Sequence, residues 1–204
     1  NGTCNSIAAD YAGNYIVNVS APPVLTAQPA SASYCVGTNA LITMTVTGVV
    51  SIYQWQVSTD NGVSWSNISD GAQYSGTNTS NLTIINAGLS VVDNLYRANI
   101  NSGSPCNISL QSNNTKINLR HVWVGTNSID WNTGSNWSDG APPTLSCPNV
   151  YILGSRNFKS TLNSGTASIN NLIIMGDGVV TVTNATLRIA GSITQNLSQT
   201  IVAT

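Results

Sequence analysis

Glutamate is absent from this 204-residue chain, and charge of either sign is scarce. Seven Asp and six Lys or Arg make up 6% of the residues, where a soluble protein usually carries about a quarter. Without Glu, and with little Lys, the chain lacks the residues that sustain exposed helices. A net charge of -1 with scattered basic residues leaves no stripe able to neutralise phosphates, which excludes a nucleic-acid partner. No apolar run approaches the length of a membrane-spanning helix. The opening residues also lack a basic stretch followed by an apolar one, so an export signal would lie outside this sequence.

Groups that carry chemistry are equally thin. The one histidine is His121, and the four cysteines (Cys4, Cys35, Cys106 and Cys147) form no Cys-x-x-Cys pair. A zinc site therefore has too few ligands at workable spacing. The seven Asp are spread along the chain, whereas paired-carboxylate catalysis needs two that converge. No Gly-x-Ser-x-Gly elbow or phosphate loop occurs. His121 stands beside Trp123 at a junction, where packing explains it better than base catalysis. The expectation is a protein that is not an enzyme, with no cofactor and no metal.

What is present points to strands. Thr, Val and Ile favour them, and Asn, at 27 positions, favours turns together with Gly. In Tyr53-Gln54-Trp55-Gln56-Val57 the apolar residues fall on one face and the glutamines on the other. Asp60-Asn61-Gly62 then reads as the turn of a hairpin whose second strand lies around Val63–Ile68. Ile42, Met44 and Val46 alternate with threonines, Leu82–Ile85 form another run, and Tyr96, Ala98 and Ile100 alternate with Arg97 and Asn99. Ile117 and Leu119 are expected to close the domain. Short strands over about a hundred residues suit an immunoglobulin-like β-sandwich with Tyr53, Trp55 and Tyr96 in its core. In that reading Ile42, Met44, Val46, Tyr96, Ala98 and Ile100 supply the sheet that covers Trp55. Tyr96 also stands where a tyrosine corner would, two residues before Ala98.

The expected organisation has three parts. Residues 1–20 read as the closing hairpin of a preceding immunoglobulin-like domain. Gly2-Thr3-Cys4-Asn5 before the Tyr15–Val19 strand repeats the pattern of Gly103-Ser104-Pro105-Cys106-Asn107 before Lys116–Leu119. The chain is accordingly expected to be a piece of a longer protein. Pro22-Pro23 marks the next boundary, and residues 21–120 form the sandwich. Residues 121–204 open with Trp123, Trp131 and Trp137 and continue as short strands. Leu172, Val180 and Leu187 recur eight and then seven residues apart, as in the first coils of a β-solenoid, with a second β-sandwich as the alternative. For the cysteines, a bridge between Cys35 and Cys106 at the edge of the sandwich is expected, which implies an oxidising compartment. Cys4 would pair upstream; Cys4 with Cys147 is a further possibility.

The segment from Tyr53 to Ile68, with Cys35-Val36-Gly37, Tyr96-Arg97 and Gly103–Cys106, resembles the immunoglobulin-like repeats of large surface proteins of Bacteroidota. These include gliding-motility adhesins exported by the type IX secretion system. The Trp123–Trp137 region, with Pro142-Pro143, is similar to the entry of solenoid-like regions in such proteins. The resemblance implies an extracellular, cell-surface, structural or adhesive segment. Its partners would be a surface glycan or protein ligand and the envelope's secretion and anchoring machinery. An accessory carbohydrate-binding role beside a polysaccharide-degrading enzyme is the alternative. Trp123, Trp131 and Trp137 could then form a stacking platform for sugars, although plugging the solenoid's end is the more ordinary use of three indoles. Asp60 and Asp177 each offer calcium a single carboxylate, which turn chemistry explains better. Several Asn-x-Ser/Thr triplets, Asn136 among them, follow from composition alone.

Overall fold

The computed structural model describes residues 4–9, 15–104, 107–195 and 200–203, with side chains described for 21–104 and 107–195. Strands β1 (Cys4–Ala9) and β2 (Tyr15–Ser20) pair antiparallel, with Cys4 opposite Ser20. The chain divides into two compact units: residues 1–32 with 39–117, and residues 33–38 with 118–204.

The first unit is a sandwich. Its strands are β3 (Val24–Ser31), β5 (Thr38–Thr47), β6 (Ile52–Ser58), β7 (Ser66–Asn67), β8 (Tyr74–Ser75), β9 (Asn81–Ala87), β10 (Leu95–Asn101) and β11 (Ser109–Gln111); β4 (Ser33–Tyr34) belongs elsewhere. They form two four-stranded sheets in the orders β3-β5-β9-β8 and β11-β10-β6-β7. The period-2 alternation dictates which residues face inward. Ala40, Ile42 and Met44 of β5, Leu82 and Ile84 of β9, and Trp55, Tyr96, Ala98 and Ile100 are all buried. An indole removes roughly 200 Å² from water, worth about 5 kcal/mol as an upper figure. The Trp55 N–H is satisfied by the Thr79 carbonyl at 2.8 Å.

Three features depart from the sequence reading. Tyr96, Ala98 and Ile100 lie beside Trp55 in its own sheet, because β10 pairs with β6 in a register that sets Ala98 opposite Trp55. The covering sheet is instead the one built on Ile42, Met44, Leu82 and Ile84, while Val46 and Tyr53 are only half-buried. The Tyr96 hydroxyl makes no bond back to the upstream backbone, as a tyrosine corner would require. Its ring meets Tyr74 edge-on at 6.3 Å, and burial pushes its phenol well above the ordinary value. Finally, the expected closing strand leaves the sandwich: β12 (Asn118–Leu119) pairs parallel with β4 in the second unit.

The second unit is a β-solenoid, which decides against a second sandwich. Its strands are β13 (Val122–Trp123), β14 (Asn149–Ile152), β15 (Ser160–Leu162), β16 (Thr166–Ile169), β17 (Asn171–Ile174), β18 (Val179–Val182), β19 (Thr186–Ile189), β20 (Ile193–Gln195) and β21 (Thr200–Ala203). They stack in three parallel ladders, β13-β14-β17-β20, β15-β18-β21 and β16-β19. From β14 onward each coil advances by 20 to 22 residues, as Ser160 opposite Val180 and Asn149 opposite Asn171 show, whereas the first step, from Val122 to Tyr151, is longer. Leu172, Val180 and Leu187 fall on three successive sides of one coil. Alternation again selects the inner face: Val150, Ile152, Leu172 and Ile174 are buried, and Tyr151 and Ile173 between them only partly so. The corners are tight. A Cβ at Gly154 would stand 2.5 Å from both the backbone nitrogen and the carboxylate of Asp177, one coil on.

Candidate functional site

The glutamines that alternate with Trp55 lie on the outer face of their sheet, and the register of β6, β10 and β11 lines them up with the polar residues of the neighbouring strands. A side-chain ladder crosses all four strands. Gln56 Nε2 donates to Asn67 Oδ1 at 2.8 Å, and Arg97 Nε donates to Gln56 Oε1 at 2.8 Å. Arg97 Nη1 reaches Gln111 Oε1 at 3.3 Å, and Gln111 Nε2 donates to Asn99 Oδ1 at 2.9 Å. The Arg97 guanidinium also stacks 4.0 Å over the Trp65 ring. Beside this ladder lies a groove of about 390 Å³, lined by Ile52, Gln54, Asn101 and Leu110 among others. The surface is neutral apart from Arg97 and can offer hydrogen bonds, but no acid–base pair.

The hairpin after β6 is organised by Asp60. Its carboxylate accepts from Ser58 Oγ (2.7 Å), from the Ser64 amide (2.9 Å) and from Ser64 Oγ (2.5 Å). These bonds, those from Ser64 foremost, lower its pKa from 3.8 to about 2. Asn61 and Gly62 both adopt positive φ, which explains why these two residue types follow Asp60. Asp177 plays a comparable part at a solenoid corner. It takes Lys159 Nζ at 2.7 Å and the Ser155 amide, and its pKa is lowered, with the Lys159 bond the largest cause. Both carboxylates are occupied by turn chemistry. Among the described residues no cluster of three or more His, Cys, Asp or Glu is placed to hold a metal.

The solenoid begins with a capping turn built on the tryptophans. Trp123, Trp131 and Trp137 are 1%, 1% and 2% exposed, so they present no stacking platform to a sugar. Trp137 meets Trp123 edge-on at 5.1 Å and Trp131 at 4.8 Å, the preferred geometry for aromatic pairs. They share one buried apolar cluster with Val150, Ile152 and Leu162 of the first coil. The Trp123 N–H donates to the Phe158 carbonyl, and the Trp137 N–H to the Trp131 carbonyl. At the centre sits Asn136, fully buried. Its Oδ1 accepts from the Asn127 and Ser128 amides, and its Nδ2 donates to Ser128 Oγ and the Asp130 carbonyl. An amide consumed in this way cannot be a glycosylation acceptor, and sequence reasoning missed its role entirely. A second groove, of about 430 Å³, lies between Pro142–Leu145 and the β16 residues Thr166–Ser168.

The disulfide also differs from expectation. Cys35 bonds to Cys147, with Cα atoms 5.6 Å apart, so neither a Cys35–Cys106 nor a Cys4–Cys147 bridge exists. The cause is the departure of residues 33–38 from the sandwich: β4 pairs with β12, and the following Cys35 arrives beside the segment that leads into β14. Cys106 lies outside the described residues. Nearby, His121 is buried with φ 60, and its Nε2 accepts from the Thr144 amide at 3.2 Å. Burial lowers its pKa; Asp139 opposes that shift and Arg120 reinforces it.

A family model described as "Domain of unknown function (DUF8696)" matches residues 26–121. No match is found among the curated proteins. Among solved structures the chain is similar to a three-immunoglobulin-domain (3Ig) structure of titin in a Glu-to-Ala variant. That likeness has 16% identity and a TM-score of 0.37, and covers 53% of this chain and 38% of the titin chain. The sandwich is defined by its own two four-stranded sheets. No helix among the described residues is long and apolar enough to cross a membrane.

Proposed function

We propose that this chain is a structural and adhesive module of a long extracellular protein on a bacterial surface, a stalk or filament segment that holds an adhesive region away from the cell. The observation that carries this reading is the solenoid's construction. Coils stack in register on a tryptophan cap, and a disulfide clamps the segment that begins them. A disulfide fits an oxidising compartment. Polar side chains that could serve chemistry are spent inside the architecture: Asp60 and Asp177 on turns, Asn136 on the cap, Arg97 on the sheet ladder. The sequence resemblance to Bacteroidota surface adhesins supports the type IX export route, envelope anchoring, and a partner that is a glycan or protein ligand. The module acts by mechanics and spacing, without catalysis.

Antibody labelling of intact source cells tests the placement. Signal without permeabilisation is expected, and signal only after permeabilisation would overturn it. Retention of the full chain on insoluble polysaccharides tests the adhesive mode separately. Saturable binding would move the assignment to an accessory carbohydrate-binding region.

A further inference from the structure

The Cys35–Cys147 bond spans 112 positions of sequence, and both cysteines belong to the solenoid unit. Every sandwich strand from β5 to β11 lies between them in the chain, and so do all sandwich residues from 39 to 117. We infer that this bridge takes the immunoglobulin-like sandwich out of the load path of a stretched chain. Tension that enters upstream of Cys35 crosses the sulfur–sulfur bond to Cys147 and continues into the coils that start at β14. The 36–146 segment hangs on that path as a closed loop and cannot lengthen it.

Covalent connectivity alone carries this consequence. In a chain of sandwiches linked end to end, each domain is in series with the load, and each gives way by unfolding and paying out its length. Here a single strand of the sandwich stays in series, namely β3, which lies upstream of Cys35. It is an edge strand of its sheet, joined to β5 through two register irregularities, and most of its side chains are exposed. A strong pull can peel β3 away, but the remaining strands and the outer-face groove of β6, β10 and β11 bear no tension. The sandwich is thus a load-shielded pendant, able to keep a binding surface folded while the solenoid bears the force. That biological use rests on the proposed role as a tensile surface module; the shielding itself does not.

Single-molecule stretching between handles at the two chain ends tests the inference. The chain would carry Cys4→Ser and Cys106→Ser, so that one bridge alone is read. Fully extended residues span about 3.3–3.6 Å each, so the oxidised chain should reach a final contour length about 400 Å shorter than the same chain with dithiothreitol. Equal lengths in the two states would overturn the proposal, as would an unfolding step of sandwich size in the oxidised chain. Non-reducing peptide mapping of the unsubstituted chain provides a second measurement. It should return a Cys35–Cys147 cross-linked peptide, and any other partner for Cys35 sinks the idea. Intracellular labelling of source cells would remove the proposed surface role and leave the contour-length result standing.

Discussion

Asn136 shows what one side chain can hold when it is buried with every polar atom paired. Four hydrogen bonds from its amide fix the turn that carries Trp131 and Trp137. Asn136→Ala would leave the Asn127 and Ser128 amides without their acceptor, and a buried unpaired group costs about 1–3 kcal/mol. A loss of about 2–4 kcal/mol is expected in urea unfolding followed by tryptophan emission, against less than about 0.5 kcal/mol for the exposed Asn127→Ala. Nothing in the residue letters separates the two asparagines. In a chain where Asn is the default turn residue, only the tertiary fold reveals which one is interior.

At the scale of elements, local patterns were legible and distant pairings were not. Period-2 alternation placed Trp55, Ile42 and Met44 on buried faces, since it depends on neighbours in sequence alone. The Asp60-Asn61-Gly62 turn was readable for the same reason. Which strand lies beside which was harder: Tyr96 and Ala98 look alike as neighbours or as facing residues until the register is known. The partner of Cys35 was harder still, because it depends on β4 leaving one unit to join the other. The coil strands give a direct test of inside against outside. Leu172→Ala, on the inner face of β17, should cost about 2–5 kcal/mol, as buried Leu truncations do. Ser168→Ala, on the outer face of β16, should stay within about 0.5 kcal/mol in the same denaturation experiment.

For the whole molecule, acidity should act on the two units at different points. His121 binds its proton less readily in the folded solenoid than in the unfolded chain, where its pKa is 6.5. Below that value the unfolded state takes up the proton more readily, so solenoid stability should fall as pH drops through 6.5. Asp60 has the opposite chemistry and the same sign. Its contribution to the sandwich is present above pH 3.8 and should fade as pH falls toward 2. Denaturation midpoints measured from pH 8 to pH 2, read by the Trp123–Trp131–Trp137 cluster and by Trp55 in single-tryptophan-group variants, should separate the two. Equal response of both probes between pH 7 and 5 would count against the His121 assignment. The stacking period has a further consequence, for heredity. A one-residue change of length inside a coil strand flips the side chains beyond it to the other face, turning a Leu172-type position outward, unless a corner absorbs the change. Insertions and deletions that survive there should therefore come in units of one coil, or be confined to the corners. Across variants of this chain, the solenoid would then grow and shrink in quanta while the sandwich keeps its size.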